Sequence, residues 1–378
     1  MTAEIPDDAA AMRRALELAR RGWGKTHPNP LVGAVVVEDG RVVAEGWHAE
    51  DGGAHAEVAA LRALGRRPSA DAALCVTLEP CSTPGRTGAC TDAILEAGVR
   101  RVVVGTRDPN PAHAGRGPEL LRKAGVDVRE GVLEGECRDL NLLFNHWMTR
   151  GTPLVAMKLA MTLDGKFAAA SGHSRWVTGE AARADVMRWR RYFPAIAVGA
   201  GTVARDDPRL TSRLGDTVFC PRRLVLDRRL RTLEAGAKAC VYGDAHRGRT
   251  TVVCGESAPE AGRARLKAAG LHHWVLPERG GHLDWTALRA RCAESGLTGV
   301  CVEAGPRLAT AMLREAAADY AFVYKAPKFL GDASAEGVGE SRDTEDMAEA
   351  LSLSEVRHEV LGDDVVIRGF LPGRKEGA

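Results

Sequence analysis

Apolar positions along the chain fall into two successive series of alternating strand and helix patterns. Met12, Ala15, Leu16 and Ala19 recur at helical spacing after Pro6-Asp7-Asp8 and predict a first helix. Segments 31–37 and 41–45 flank Asp39-Gly40, a strong hairpin signal. A helix over 55–64, a strand over 73–78, a helix over 90–97 and a strand over 101–105 follow. Another helix over 117–124 and a short strand over 126–128 complete the first series. A helix over 140–148 closes it, and Arg150-Gly151-Thr152-Pro153 reads as a linker.

The second series starts with a strand at 154–159. A helix at 180–192 and strands near 195–198, 223–226, 250–253 and 299–302 continue it, with helices at 260–269 and 283–293 between them. Residues 332–350 are polar and irregular before a last strand near 365–369. Strands alternating with helices define an α/β fold class. The break near 150 predicts two domains, 1–150 and 151–378.

Composition narrows the function. The net charge of +2 and 5% aromatic residues argue against a nucleic-acid partner. The longest apolar run, 31–37, is far short of a membrane span. The first residues carry acids and no apolar signal region, and nine cysteines is an odd number. Together these point to a reducing cytoplasm.

His55-Ala56-Glu57 is followed by Glu79-Pro80-Cys81 and then Cys90. One imidazole and two thiolates suit Zn²⁺, and three protein ligands leave a fourth position for water. Zinc lowers the pKa of such a water towards about 7. Glu57, two residues after His55, can stand beside that water without ligating the metal and shuttle protons to a leaving amine. Zinc nucleobase deaminases use this arrangement, with H-x-E followed by P-C-x-x-C. Here eight residues separate Cys81 from Cys90. Three buried core side chains, or a closed structural zinc with His48 as fourth ligand, are the alternatives.

The segments PNPLVGAVVV, HAEVAAL, TLEPCSTPGRTGAC and DPNPAHAGRG resemble the deaminase half of the bifunctional deaminase/reductases of riboflavin biosynthesis. The resemblance implies a cytidine-deaminase-like N-terminal domain. Its substrate would be 2,5-diamino-6-(5-phosphoribosylamino)pyrimidin-4-one, deaminated by zinc-activated water. Arg86, in a Gly-rich loop, suits a phosphate, and Asn29, in a Pro-Asn-Pro turn, suits a pyrimidine edge. Thr83 is a departure, because family members often carry His there.

Beyond the linker stand MKLAMTLDGK (157–166), SGHSRWVT (171–178), VGAGTV (198–203), DDPRLT (206–211) and VEAGPRL (302–308). No G-x-G-x-x-G follows a strand, so a Rossmann dinucleotide site is not indicated. The Gly305 strand-to-helix turn suits an anion. These segments resemble the reductase half of the same enzymes, which is similar to dihydrofolate reductase. The resemblance implies NADPH as hydride donor and reduction of the opened ribose of 5-amino-6-(5-phosphoribosylamino)uracil to ribityl. It places Ala160, Trp176, Thr202, Asp206, Gly305, Pro306 and Arg307 on the cofactor side. Ser174, Arg190, Leu210, Arg213 and Glu303 fall on the substrate side. Arg190 and Arg213 suit a phosphate clamp, and Trp176 either stacks on the nicotinamide or fills core. Lys158 and Asp206 are expected to hold substrate or deliver protons, Asp206 from a loop after a buried strand.

The expected partners are small phosphoribosylaminopyrimidines, with no nucleic acid and no membrane, and a homodimer through the reductase domain. A rival reading is a tRNA-type deaminase with a binding appendage. It calls for a basic, aromatic patch, which this composition does not supply. A metal-storing or structural protein would have no use for Glu57.

Overall fold

The computed structural model describes residues 7–84, 88–111, 113–215, 217–234, 238–338 and 344–373. Contacts divide the chain into two compact units, Met1–Gly151 and Thr152–Ala378.

In the first unit, α1 (Asp8–Ala19) starts where the Asp7 carboxylate accepts the Ala10 amide at 2.8 Å. It buries Met12, Ala15, Leu16 and Ala19, the face the spacing predicted. β1 (Gly33–Glu38) and β2 (Arg41–Trp47) form the hairpin, with Asp39 at φ 47° and Gly40 at φ 68° in its turn. Then come α2 (Ala56–Leu64), β3 (Ala73–Leu78), α3 (Cys90–Ala97), β4 (Arg101–Thr106), α4 (Arg116–Lys123) and β5 (Asp127–Glu130). The sheet order is β2-β1-β3-β4-β5, antiparallel around β1 and parallel from β3 to β5. Every residue of β3 is buried, as expected for a central strand covered on both faces. α2 lies so close on β2 that a Cβ at Gly46 would stand 2.4 Å from the Ala56 carbonyl oxygen. Gly46 thereby sets the helix that begins at the His55–Glu57 motif against the sheet.

The closing helix differs from expectation. It is two helices, α5 (Glu134–Leu140) and α6 (Leu142–Arg150), broken at Asn141. The buried Asn141 amide accepts the Leu31 N–H at 2.7 Å and donates to the Leu31 carbonyl at 2.9 Å. Its side chain acts as a strand partner, which helical periodicity does not reveal.

The second unit runs through β6 (Leu154–Thr162), α7 (Glu180–Tyr192), β7 (Ala195–Gly199) and α8 (Ala200–Asp206). The short hairpin β8 (Ser212–Leu214) and β9 (Thr217–Phe219) precedes β10 (Arg222–Leu226) and α9 (Cys240–Gly243). β11 (Thr250–Gly255), α10 (Glu260–Ala268) and β12 (His272–Leu276) follow, then the ribbon of β13 (Glu278–Arg279) and β14 (His282–Leu283). The unit ends with α11 (Trp285–Glu294), β15 (Gly299–Glu303), α12 (Pro306–Arg314), β16 (Tyr320–Ala326), β17 (Ser354–Leu361) and β18 (Asp364–Phe370).

The large sheet has the order β12-β11-β10-β7-β15-β6-β16-β18-β17. Neighbours from β12 to β16 are parallel, and β18 and β17 add an antiparallel edge. Strands β12, β16 and β17 were not anticipated. β17 is exposed along almost its whole length, so no apolar alternation marks it. Val155, Met157, Leu159 and Met161 of β6 point into the core cluster. Lys158 and Ala160 face the other side and stay half-buried.

Candidate active sites

The first site lies where α2 and α3 begin. His55 is the residue before α2, and Cys90 opens α3. Cys81 follows β3 by three residues. One donor atom from each of His55, Cys81 and Cys90 lies within 4.8 Å of the others. His55 Nδ1 is 3.1 Å from Cys90 Sγ and 3.6 Å from Cys81 Sγ. The Cys90 amide donates to Cys81 Sγ at 3.3 Å. Zinc–sulfur bonds of about 2.3 Å and zinc–nitrogen bonds of about 2.0 Å fit a set this tight. The residues therefore suit Zn²⁺, with His55, Cys81 and Cys90 as its holders.

The acidities agree with a shared anionic centre. Hydrogen bonding by the Cys90 thiol, then by His55, pulls the Cys81 thiol down to about 4. The same Cys81 thiolate pushes Cys90 up. His55 is raised, chiefly by its hydrogen bond to Cys81. Glu57 is 3% exposed. Burial pushes its carboxyl up to about 7, with Cys81 and Cys90 among its neighbours. A carboxyl near neutrality gives and takes protons with little driving force lost in either direction.

His48 does not complete a closed metal site. Its Nδ1 is 3.0 Å from the Ala54 carbonyl and its Nε2 faces Asn29 at 3.5 Å. Its ring stands edge-on to His55, with centroids 5.8 Å apart. Asn29, which also donates to Asp51 at 2.8 Å, is thus brought to the edge of the cluster. Arg86 lies outside the described residues. Sequence reasoning missed the role of Glu79. Its buried carboxylate accepts the amides of Asp108, Gly115 and Gly117 at 3.1, 2.9 and 3.0 Å. It holds the DPNP loop and the start of α4 beside Cys81.

The second site is a small cleft lined by Lys158, Val186, Trp189, Arg190, Cys301, Glu303, Phe322 and Tyr324. The register of β15 and β6 sets Glu303 opposite Lys158. Arg190, from α7, grips Glu303 in a bidentate pair at 2.5 and 2.8 Å. Its third nitrogen donates to the Thr211 carbonyl at 3.0 Å. The fork expected to clamp a phosphate is therefore taken up inside the protein. Burial alone would raise the Glu303 carboxyl, yet Arg190 and Lys158 bring it to about 2. Burial lowers the Lys158 ammonium, against the pull of Glu303. Lys158 Nζ lies 5.6 Å from the centre of the Tyr324 ring. The Tyr324 hydroxyl donates to Asp185 at 2.8 Å, a buried pair that sequence reasoning missed. Both residues sit in stretches with ordinary helix and strand composition, so no motif marks them.

Gly199 and Gly305 cap α8 and α12, which start at the ends of adjacent parallel strands β7 and β15. Neither helix has a side-chain cap, so the first N–H groups of α12, from Arg307 on, have no side-chain acceptor at the cap. Pro306 and Arg307 are the first two residues of α12. Thr202 lies beside this turn, its hydroxyl 3.6 Å from the place of a Cβ on Gly305. These residues suit the pyrophosphate of a dinucleotide. Trp176 is 64% exposed, so it does not fill core, and Arg183 stacks 4.7 Å from its ring centre. Ser174 is half-buried two residues before it. Asp206 is not in a loop. It is the last residue of α8, and the Arg175 guanidinium holds its carbonyl at 3.0 Å. Leu210 is buried at φ 53°, and Arg213 is exposed with its guanidinium on the Thr211 hydroxyl at 2.8 Å.

The two units match two families. Residues 5–106 match the cytidine and deoxycytidylate deaminase zinc-binding region, and residues 153–367 match the RibD C-terminal domain. The molecule thus joins a zinc-dependent deaminase to a reductase unit. The riboflavin biosynthesis protein RibD of Escherichia coli (strain K12) is 40% identical over 374 residues, covering 95% of this chain and 98% of the relative. The solved RibD of Acinetobacter baumannii (form 1) is 36% identical with a TM-score of 0.75, covering 97% and 99% of the two chains. A diaminohydroxyphosphoribosylaminopyrimidine deaminase/5-amino-6-(5-phosphoribosylamino)uracil reductase from Thermotoga maritima is 34% identical, also at 0.75, covering 97% and 98%. The chain belongs to the RibD family of bifunctional deaminase/reductases.

Proposed function

We infer that the chain carries out two consecutive steps of riboflavin biosynthesis with Zn²⁺ and NADPH as cofactors. The first unit removes the 2-amino group of 2,5-diamino-6-(5-phosphoribosylamino)pyrimidin-4-one as ammonia. The second reduces the ribosyl group of the resulting 5-amino-6-(5-phosphoribosylamino)uracil to ribityl. The observation that carries the reading is the trio His55, Cys81 and Cys90 beside the buried Glu57.

Zinc, held by that trio, supplies an activated water when bound. Glu57 takes a proton in its buried carboxyl and returns it to the departing amine. Asn29 meets the pyrimidine edge, and Arg86 meets the phosphate. In the reductase unit, NADPH when bound would supply a hydride for reduction of the opened sugar at C1′. Ala160, Trp176, Thr202, Asp206 and the turn Gly305-Pro306-Arg307 hold the cofactor. Lys158, made easier to deprotonate by burial, gives a proton to the sugar oxygen freed on ring opening. Glu303, fixed by Arg190, orients sugar hydroxyls, and Ser174 and Leu210 line the same side. Arg213 meets the phosphate. Its guanidinium lies near Arg190 and Arg209, and it has no carboxylate partner among the described residues.

The boundary between the activities falls at the linker, giving domains 1–150 and 151–378. We place the protein in the cytoplasm, where its nine free cysteines stay reduced. No helix among the described residues is long and apolar enough to cross a membrane. The working form is a homodimer through the reductase domain, which light scattering tests directly. For the chemistry, the protein is incubated with the diamino ribotide with and without NADPH, and products are identified by mass. Ammonia and the uracil ribotide should appear without NADPH, and the ribityl product only with it. Release of no ammonia from the zinc-loaded protein would overturn the assignment.

A further inference from the structure

Arg223 is 0% exposed on β10, and the chemistry above makes no use of it. Its guanidinium forms a bidentate pair with Asp244 at 2.7 and 2.8 Å. The same two nitrogens reach two carbonyls, Val241 at 3.0 Å and Arg209 at 3.1 Å. Replacing a buried ion pair by apolar residues of similar volume is often neutral or stabilising. The pair is therefore poorly explained by stability, and what it holds is the better clue.

What it holds is the segment 207–213, between α8 and β8. Asp207 and Leu210 stand at φ 43° and 53°, a region side-chain-bearing residues seldom adopt without restraint. The restraints come from two directions. From α7, Arg190 donates to the Thr211 carbonyl at 3.0 Å, and the Ser212 hydroxyl donates to Met187 at 2.6 Å. From α9, the Cys240 amide donates to the Asp207 carboxylate at 2.6 Å. Asp244 follows α9 directly and delivers Arg223 to the Arg209 carbonyl. The segment ends at Arg213, an exposed guanidinium near two further cations, Arg190 and Arg209. Arg190 is already neutralised by Glu303, so the braced backbone presents two exposed guanidiniums, Arg209 and Arg213, as a preorganised anion site.

We propose that the Arg223–Asp244 pair is a positioning device that fixes segment 207–213 so that Arg213 meets the substrate phosphate. The proposal rests on the reading of Arg213 given above. The pair touches no substrate and acts through the backbone of Arg209.

The test compares the phosphorylated substrate of the reductase with its dephosphorylated riboside, in the full-length holoenzyme at saturating NADPH. Arg213→Met should lower the ribotide-over-riboside preference in kcat/KM by at least about tenfold, as expected for loss of one charge-assisted phosphate contact. Asp244→Asn and the apolar double variant Arg223→Met/Asp244→Leu should lower that preference by about tenfold through KM for the ribotide. In both, kcat, KM for NADPH, riboside turnover and ammonia release should stay near wild type. The double variant leaves no buried charge, so it keeps the test available where Asp244→Asn fails to fold. An unchanged preference in Arg213→Met removes the phosphate reading itself. A collapsed preference in Arg213→Met beside an unchanged one in the folded double variant overturns the positioning role alone. An equal fall in ribotide and riboside turnover in the double variant also overturns it, because a structural defect does not distinguish the two substrates.

Discussion

The two sites are built in opposite ways. The deaminase site draws its chemistry from residues 55–90, at the starts of two helices and the end of one strand. The reductase cleft collects Lys158, Arg190, Glu303 and Tyr324 from three strands and a helix spread over more of the chain. In the first, function rests on residue types that few other roles require, namely thiolates and imidazole converging on one point. In the second, it rests on common charged residues whose meaning comes from strand register and a shared ion pair. The difference predicts different failures. The deaminase should break abruptly at single donors, and the reductase should fade as its network loosens.

The largest effect is expected at the first site. Glu57→Gln should lower ammonia release by roughly 10²–10⁴-fold while zinc stays bound, because the amide keeps the shape and cannot shuttle protons. Cys81→Ala/Cys90→Ala should lose the metal itself, as read by metal analysis of the purified protein. Full zinc content in that double variant would contradict the ligand set. In either variant, NADPH-dependent reduction of added uracil ribotide should continue, since its groups lie beyond residue 151.

Glu303→Gln tests whether the reductase depends on a network. Leaving Arg190 buried without its partner should cost roughly 3–5 kcal/mol at neutral pH. The wild-type Glu303 carboxyl is lowered from 4.5 to about 2. Its stabilising contribution is therefore complete above pH 4.5 and is lost as pH falls through about 2. Denaturation of wild type and Glu303→Gln should converge over that window. A gap that stays constant from pH 7 to pH 2 would mean the pair contributes nothing electrostatic. Lys158→Met should lower reduction by about 10²-fold, the low end of general acid–base loss, with ammonia release unchanged.

The same contrast explains what could be read from the sequence. The clustering of His55, Cys81 and Cys90, the hairpin at Asp39-Gly40 and most elements of the first unit were legible, because each depends on local spacing or rare residue types. Asn141 was not, since its helix break serves Leu31, distant in sequence. Nor were Tyr324 and Asp185, which become a pair only through the packing of β16 and α7. Arg190 was legible as important, but its partner was misjudged. A guanidinium on a helix gives no sign that a carboxylate at the end of β15 will claim it. β17 escaped because an exposed edge strand has no apolar face to alternate.

The smallest expected effect separates a functional group from a capping one. Asp206 ends α8, and its backbone carbonyl, held by Arg175, fixes the helix end without any help from the side chain. Asp207, at φ 43°, accepts the Cys240 amide at 2.6 Å and so does the structural work of the turn. The Asp206 carboxylate has no hydrogen-bond or ion-pair partner among the described residues. A polar group left over at the carboxyl end of a parallel sheet is available to a ligand. Asp206→Asn keeps the shape and removes the charge, so folding and thermal stability should stay near wild type. NADPH-dependent turnover should fall about tenfold, equal to roughly 1.4 kcal/mol of transition-state stabilisation. Asp207→Ala, which removes the acceptor of the Cys240 amide, should instead lose stability first and leave KM for NADPH near wild type. Wild-type reduction by Asp206→Asn would leave the reductase resting on Lys158 and the Arg190–Glu303 pair alone.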